Sequence, residues 1–311
     1  MNIVFMGTPA FAVPSLAKLY EAGHDISLVV TQPDRPGNRG KVIMSPVKSF
    51  AVEHGLAVSQ PERLRRDHAA VEQIRACSPD MIVVAAFGQI LPKDVLDIPR
   101  YGCINVHGSL LPKYRGASPM HCAILNGETV TGVTIMRMEE GLDTGDMISS
   151  AELDITGKDL LQVSSELSDL GADLLIQTIR EIEQGTAVYT KQDDALSTYA
   201  PMIHKADGLT DFSEPAEVLE RKARAFIEWP TLHSYLGGQI VKFYKVSATE
   251  YGSSDAEPGT ILEINNNNFI VKCGKGALVI QEVQMQGKRR MSAGDFLRGS
   301  HLRIGDRFDS L

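Results

Sequence analysis

A chain of 311 residues, 43% hydrophobic and 23% charged, can bury a sizeable core, and its length predicts two domains. No apolar run approaches the roughly 18 residues that span a bilayer, and the start, Met1-Asn2-Ile3-Val4-Phe5-Met6-Gly7, reads as a first strand rather than a signal peptide. Four scattered cysteines (Cys77, Cys103, Cys122, Cys273) form no Cys-x-x-Cys pair, which argues against disulfides and zinc and fits a reducing cytoplasm.

The net charge of −8 is uneven: residues 1–203 hold 17 Lys and Arg against 25 Asp and Glu, and the remainder holds 14 of each. Two stretches run against this background. Residues 31–48 carry Arg35, Arg39, Lys41 and Lys48 against Asp34 alone, and residues 284–311 include Lys288, Arg289 and Arg290. An acidic chain with two confined basic surfaces suits a polyanionic partner held at defined places, and equally suits solvated basic loops.

In chain order, Asn2–Met6 reads as a short apolar strand, and Gly7-Thr8-Pro9 leads into a helix reaching about Ala22. That turn lacks the second and third glycines of a dinucleotide fingerprint, and Pro9 removes an amide donor, so a tight β–α turn is expected. Asp25–Thr31 is a second strand. Gln32–Met44, with Pro33, Pro36, Gly37 and Gly40, reads as a long loop, well above the usual length of about 4–6 residues and hence functional or disordered. Ser45-Pro46 opens a helix to about His54; a strand near Leu56–Ser59 and a helix around Asp67–Cys77 follow. Asp80–Phe87 is continuously apolar, as a central parallel strand buried on both faces should be. A helix at Ser118–Leu125, strands at Thr131–Met138 and Met147–Leu153 and a long helix over Asp159–Glu183 complete an alternation that predicts an α/β fold with a Rossmann-like, mostly parallel sheet. After Gly185 the pattern changes. A polar, irregular stretch reads as a linker, Ser213 is expected to cap a helix at Pro215–Phe226, and runs at Gln239–Ser247, Gly259–Ile264, Phe269–Cys273 and Ala277–Gln284 predict a second, smaller β-barrel. The expected division is 1–188, a linker at 189–203, and 204–311.

The chemistry concentrates in residues 101–119. Cys103, Ile104 and Val106 mark a buried strand on which Asn105 and His107, two apart, share one face; Gly108, Ser109, Pro112 and Gly116 then break regular structure. The carboxyl end of a strand is where open α/β sheets place their ligands. There an amide can donate to a developing oxyanion and an imidazole can move a proton, a pairing suited to chemistry at a carbonyl. Asp143 lies in an acidic turn between two later β segments, at the same end of the expected sheet, where a carboxylate would fix the histidine's tautomer. A satisfied structural histidine would read alike from spacing alone.

Asn105-Val-His-Gly-Ser-Leu-Leu-Pro-x-Tyr-Arg-Gly116, with Leu142-Asp-Thr-Gly145 later, resembles the signature of the 10-formyltetrahydrofolate-dependent formyltransferases. Met6-Gly-Thr-Pro-Ala-Phe-Ala-Val-Pro14, Thr31-Gln-Pro-Asp-Arg-Pro-Gly-Asn-Arg-Gly-Lys41, Lys205-Ala-Asp-Gly-Leu-Thr-Asp-Phe212 and Arg224-Ala-Phe-Ile-Glu-Trp-Pro230 extend the resemblance over nearly the whole chain, toward the members that formylate methionine on initiator tRNA. It implies a formyltransferase domain followed by an OB-like, tRNA-contacting barrel; a cytoplasmic protein without a metal is expected from the cysteines, and a monomer because nothing in the sequence suggests a large exposed apolar face. It also implies 10-formyltetrahydrofolate as formyl donor, with Asn105, His107 and Asp143 catalytic. Gln89, Ile90, Leu91, Ser109, Leu110, Leu111 and Pro112 resemble the walls of the folate site. The resemblance also assigns Arg35, Arg39 and Lys41 to the tRNA acceptor end, and Lys288, Arg289 and Arg290 are a further candidate phosphate contact. The alternative within the family is a sugar-amine formyltransferase; glycinamide ribonucleotide formyltransferases carry a glycine- and serine-rich turn where this chain has Thr8-Pro9-Ala10. From another class, a catalytically silent RNA-binding protein would share the barrel but not need the Asn105/His107/Asp143 set.

Overall fold

A computed structural model describes residues 1–36, 42–252 and 255–309. The chain divides into two compact units: Met1–Pro119, Val130–Asp154 and Val163–Pro201 form one, and Met120–Thr129, Ile155–Gln162 and Met202–Leu311 form the other. Among the described residues no helix is long and apolar enough to cross a membrane.

In chain order, the elements up to residue 201 are β1 (Asn2–Gly7), α1 (Val13–Glu21), β2 (Asp25–Val30), β3 (Arg35–Pro36), β4 (Val42–Ile43), α2 (Pro46–Glu53), β5 (Val58–Ser59), α3 (His68–Ala76), β6 (Met81–Ala85), α4 (Lys93–Leu96), β7 (Cys103–His107), β8 (Arg115–Gly116), α5 (Pro119–Leu125), β9 (Val130–Arg137), β10 (Met147–Asp154), α6 (Leu160–Gln184) and β11 (Tyr199–Ala200). The main sheet runs β10-β9-β7-β6-β1-β2-β5. From β7 to β5 every pairing is parallel; β9 and β10 add antiparallel at the other edge. This is the mostly parallel α/β sheet expected from the alternation of strands and helices. β1 and β6 sit at its centre because Ile3-Val4-Phe5-Met6 and Met81-Ile-Val-Val-Ala85 are apolar at consecutive positions and can be covered on both faces. β10 alternates partly buried and exposed residues along its second half, as an edge strand does. Ser45 caps α2, its hydroxyl accepting from Lys48 N at 3.2 Å with Pro46 in the first helical position. Gly171 lets α6 lie close on the sheet: a Cβ there would stand 2.9 Å from Val106 Cγ1, on the strand that carries the candidate site.

Two readings change. The Gln32–Met44 stretch is not structureless, because Arg35 and Pro36 pair antiparallel with Ile43 and Val42, a two-residue ladder too short to show in a periodicity. The polar stretch after Gly185 is tied to the first unit at Thr190, Gln192, Thr198, Tyr199 and Ala200 through backbone and side-chain bonds that no hydrophobic pattern announces.

The second unit holds α7 (Ala216–Ala225), β12 (His233–Leu236), β13 (Gln239–Thr249), β14 (Ile261–Ile264), β15 (Phe269–Lys272), β16 (Ala277–Met285), β17 (Met291–Ser292) and α8 (Ala293–Gly299). Its antiparallel sheet runs β12-β13-β16-β15-β14, with β17 on β16, and irregularities in β13 around Lys245 let it curl. Phe212, Phe243, Phe269, Phe296 and Phe308 fill the core with Leu219 and Ala223 of α7. This is the barrel-like element expected after the linker. Ser213 does not cap α7. Pro215, in an extended conformation, occupies the cap position, and the helix starts one residue later than expected.

Candidate active site

β7 is the last of the parallel strands before the antiparallel β9, and it brings Asn105 and His107 to one face as their spacing predicts. Val84 of β6 and Met136 of β9 flank Asn105, and Thr134 pairs with His107, so the backbone of both residues is held inside the sheet. The Asn105 carboxamide is half-buried and makes no hydrogen bond among the described residues, which leaves two N–H donors free at the strand end. His107 is buried, and both of its ring nitrogens face acceptors. Nε2 lies 2.9 Å from the Tyr114 carbonyl, and Nδ1 lies 3.8 Å from Asp143 Oδ2. A carbonyl only accepts, so Nε2 carries a hydrogen, and Nδ1 is the nitrogen left to gain or lose a proton.

Asp143 reaches that position from the turn between β9 and β10. The turn is pinched shut by Arg137 N donating to Asp146 O at 2.8 Å, and a Cβ on Gly145 would stand 2.0 Å from Arg137 O, so only glycine fits. Asp143 itself has φ +52, a left-handed conformation that Asp tolerates better than most residues. Its Oδ2 accepts from Gly116 N at 2.9 Å. Tyr114, whose carbonyl meets His107, also sits left-handed at φ +62, and its N–H donates to Thr198 Oγ1 at 2.8 Å. Arg115 N donates to Thr198 O and Ala117 N to Ala200 O, each at 2.9 Å. A buried Gln192 completes the set: its amide donates to Asp143 O at 2.8 Å and Gly145 O at 2.7 Å, and its oxygen accepts from Arg115 Nε at 2.9 Å. The sequence assigned no role to Tyr114, Gln192 or Thr198: Tyr114 meets His107 through its carbonyl, the Thr198 hydroxyl holds Tyr114 from 84 residues along the chain, and Gln192 lies 49 residues beyond Asp143. Cys103, two residues before Asn105, is no competing nucleophile, since burial pushes its thiol up to about 12.

The remaining candidates separate. Ser109 is buried and donates to Lys113 O at 2.7 Å, while its own carbonyl takes the Thr134 hydroxyl at 2.7 Å. Leu111 is buried with its N–H on Thr134 Oγ1; Leu110 and Pro112 are partly exposed. In the loop after β6, the Gln89 side chain turns back to Pro61 O and Leu64 N, and Leu91 is buried with Val84, Phe87 and Val95. Ile90, by contrast, is 70% exposed, and the backbone N–H groups of Gln89 and Ile90 make no hydrogen bond among the described residues. That loop can therefore offer a ligand its backbone and one apolar side chain, not the Gln89 amide. Arg35 is exposed and donates to Gln32 Oε1 at 3.0 Å; Arg39 and Lys41 lie outside the described residues. Lys288, Arg289 and Arg290 are exposed on the β16–β17 turn, but Arg290 is already bound to Glu282 and lies 4.4 Å above the Tyr244 ring. No group of three or more His, Cys, Asp or Glu able to hold a metal is present among the described residues.

Residues 1–179 match the model of the family described as formyl transferase, and residues 202–301 match that of the formyl transferase C-terminal domain. A protein of Lachnospira eligens named methionyl-tRNA formyltransferase is 48% identical over 314 residues, covering 98% of this chain and 98% of its own. One of Geobacter metallireducens with the same name is 48% identical over 310 residues, covering 99% and 98%. Among solved structures, the N-formyltransferase of Helicobacter canadensis in complex with folinic acid and dTDP-3-aminofucose superposes with a TM-score of 0.65 over 90% of this chain and 98% of that one, at 20% identity, a likeness of fold.

Proposed function

The chain belongs to the formyl transferase family, and from that premise and the geometry above we propose that it transfers the formyl group of 10-formyltetrahydrofolate to the α-amino group of methionine esterified to initiator tRNA. The observation that carries the reading is the unpartnered Asn105 carboxamide beside a histidine whose Nδ1 lies 3.8 Å from a carboxylate.

Each group has a step. The amine nitrogen attacks the formyl carbon, and the carbonyl electrons move to oxygen, where the Asn105 N–H groups stabilise the oxyanion. His107, held by the Tyr114 carbonyl, takes a proton from the attacking nitrogen at Nδ1, and Asp143 balances the charge that appears on the ring. The tetrahedral adduct then collapses: the bond from carbon to N10 of the folate breaks, and N10 leaves with a proton returned by the imidazolium. Burial of His107 keeps bulk water from competing for that proton. The exposed Ile90 and the open backbone of Gln89 and Ile90 suit the flat, hydrogen-bonding pteridine, and Leu110 and Pro112 would flank it. Arg35, Arg39 and Lys41 would meet phosphates near the acceptor end, with Lys288 and Arg289 adding charge from the second unit.

The reading is supported by full-length relatives at 48% identity that carry the methionyl-tRNA name, against 20% for the sugar-amine complex. The test is formyl transfer from 10-formyltetrahydrofolate to methionine-charged initiator tRNA, with charged elongator tRNA and a nucleotide-linked amino sugar as competitors. Only the initiator should be formylated, and Asn105→Ala should lower kcat by roughly 10²–10³-fold with an unchanged circular dichroism spectrum. A well-folded Asn105→Ala protein working at near-normal rate would end the assignment, and formylation of the sugar alone would replace it.

A further inference from the structure

We infer that Gln192 is a positioning residue for the reaction: its carboxamide ties the Asp143 turn to Arg115 and thereby sets the distance between the Asp143 carboxylate and His107 Nδ1. Three observations lead there. Gln192 is 5% exposed in a stretch otherwise polar and mostly exposed, so its burial has a cause other than hydrophobicity. All of its side-chain bonds converge on the site: both amide hydrogens go to carbonyls of the Asp143 turn, at Asp143 and Gly145, and the oxygen takes Arg115 Nε. Finally, Asp143 is left-handed, and a left-handed non-glycine residue persists where its surroundings hold it.

The chemistry of the side chain matters as much as its place. A neutral carboxamide is the one side chain that presents two parallel donors and an acceptor at this reach. A glutamate of the same size would keep the Arg115 bond and face two carbonyl oxygens with an acceptor, so it would push the turn away. Arg115 ends the chain of contacts: it bonds Gln192 and Asp194, and the next amide along, Gly116 N, grips Asp143 Oδ2. Gln192 and Gly116 therefore hold Asp143 from both ends, one by its main chain and one by its carboxylate. The 3.8 Å gap to Nδ1 leaves the pair room to tighten as charge builds on the ring, and loss of the clasp would let the turn drift outward.

The inference rests on the proposed formyl transfer for its assay, and the experiment separates the two. Gln192→Ala, Gln192→Glu, Asp143→Asn, both double variants and a surface control, Glu72→Ala on the exposed face of α3, are measured by single-turnover formyl transfer with melting followed in parallel. Gln192→Ala and Gln192→Glu should each lower the single-turnover rate about 10–100-fold, the cost of misplacing a catalytic group by about 1 Å, with KM for the folate changed less than about twofold. The pH–rate profile should shift in the same direction as in Asp143→Asn. In the Asp143→Asn background either Gln192 change should cost less than about twofold, because groups acting as one unit are not additive. Glu72→Ala should stay near the wild-type rate. An equal loss with and without Asp143, or a full rate in a folded Gln192→Glu protein, overturns the inference while leaving formyl transfer intact. If Gln192→Ala melts early, Gln192→Glu, which preserves volume and the Arg115 bond, decides. No formyl transfer by the wild-type protein would instead overturn the reading of function.

Discussion

The carboxyl edge of β7 and the β16–β17 turn hold polar residues under opposite regimes. At the first, His107, Ser109 and Gln192 are buried, and their polar atoms face a neighbour's backbone or a side chain of the same network. At the second, Lys288 and Arg289 stand in solvent, and their one fixed companion, Arg290, is paired with Glu282 and stacked on Tyr244. The contrast matches what each is proposed to do. Acyl transfer requires its reacting groups placed within a fraction of an ångström, which sheet pairing supplies for the Asn105 backbone and the bonding network for His107 and Asp143. A phosphate contact requires charge, and charge acts through several ångströms of water.

Asp143→Asn tests the first regime with the largest effect. It preserves the bond to Gly116 N, because the amide oxygen still accepts, but removes the negative charge beside Nδ1. The rate of formyl transfer should fall about 100-fold or more, as when a histidine loses the carboxylate that orients it, while the melting temperature moves little. A variant that instead loses stability and retains turnover would make Asp143 a structural brace.

The second regime predicts smaller and salt-dependent changes. Arg39→Ala should raise KM for tRNA about fivefold, leave folate KM unmoved and lower the slope of log affinity against log salt by about one. Arg289→Ala should do the same more weakly. Arg290→Ala should do least, since its guanidinium already serves Glu282 and Tyr244 and has less charge to lend. Binding titrations at three salt concentrations rank the three variants, and an Arg290 effect larger than that of Arg289 would reverse the division drawn here.

How much could be read beforehand differs between the two places for the same reason. Asn105 and His107 announce themselves through local periodicity, two polar side chains two apart on an apolar strand, and the barrel strands through their alternation. Asp143 is visible as an acidic turn, yet its pairing with His107 requires the sheet order, which places β9 beside β7. The clasp is out of reach altogether. Tyr114 acts through its carbonyl, Gly116 through its amide, and Gln192 across 49 residues, and main-chain groups leave no mark on residue identity. Gln89 shows the converse: its residue type suits a ligand contact, but the folded loop spends its side chain on Pro61 and Leu64. Ser213 shows it for a cap, since a good capping residue lost its place to the extended Pro215 two positions on.

The smallest expected effect concerns stability in the second unit, at His121 on α5. Burial lowers its pKa from the ordinary value of 6.5, since desolvation disfavours the charged ring. The unfolded chain therefore binds this proton more readily than the folded one. Between the two pKa values stability falls as pH falls, the loss starting near pH 6.5 and complete below the lowered folded value; above 6.5 the ring is neutral in both states and contributes no slope. Urea titrations between pH 7.5 and 5, values spanning about a unit or more on either side of the ordinary histidine pKa, should show a shallower decline for His121→Gln than for the wild-type chain. The same variant should leave formyl transfer at pH 7.5 unchanged, because its ring is no part of the network around Asp143. An identical decline in the two proteins would mean that His121 takes up its proton without cost, and that the polar groups of the second unit, like its basic turn, remain in effective contact with water.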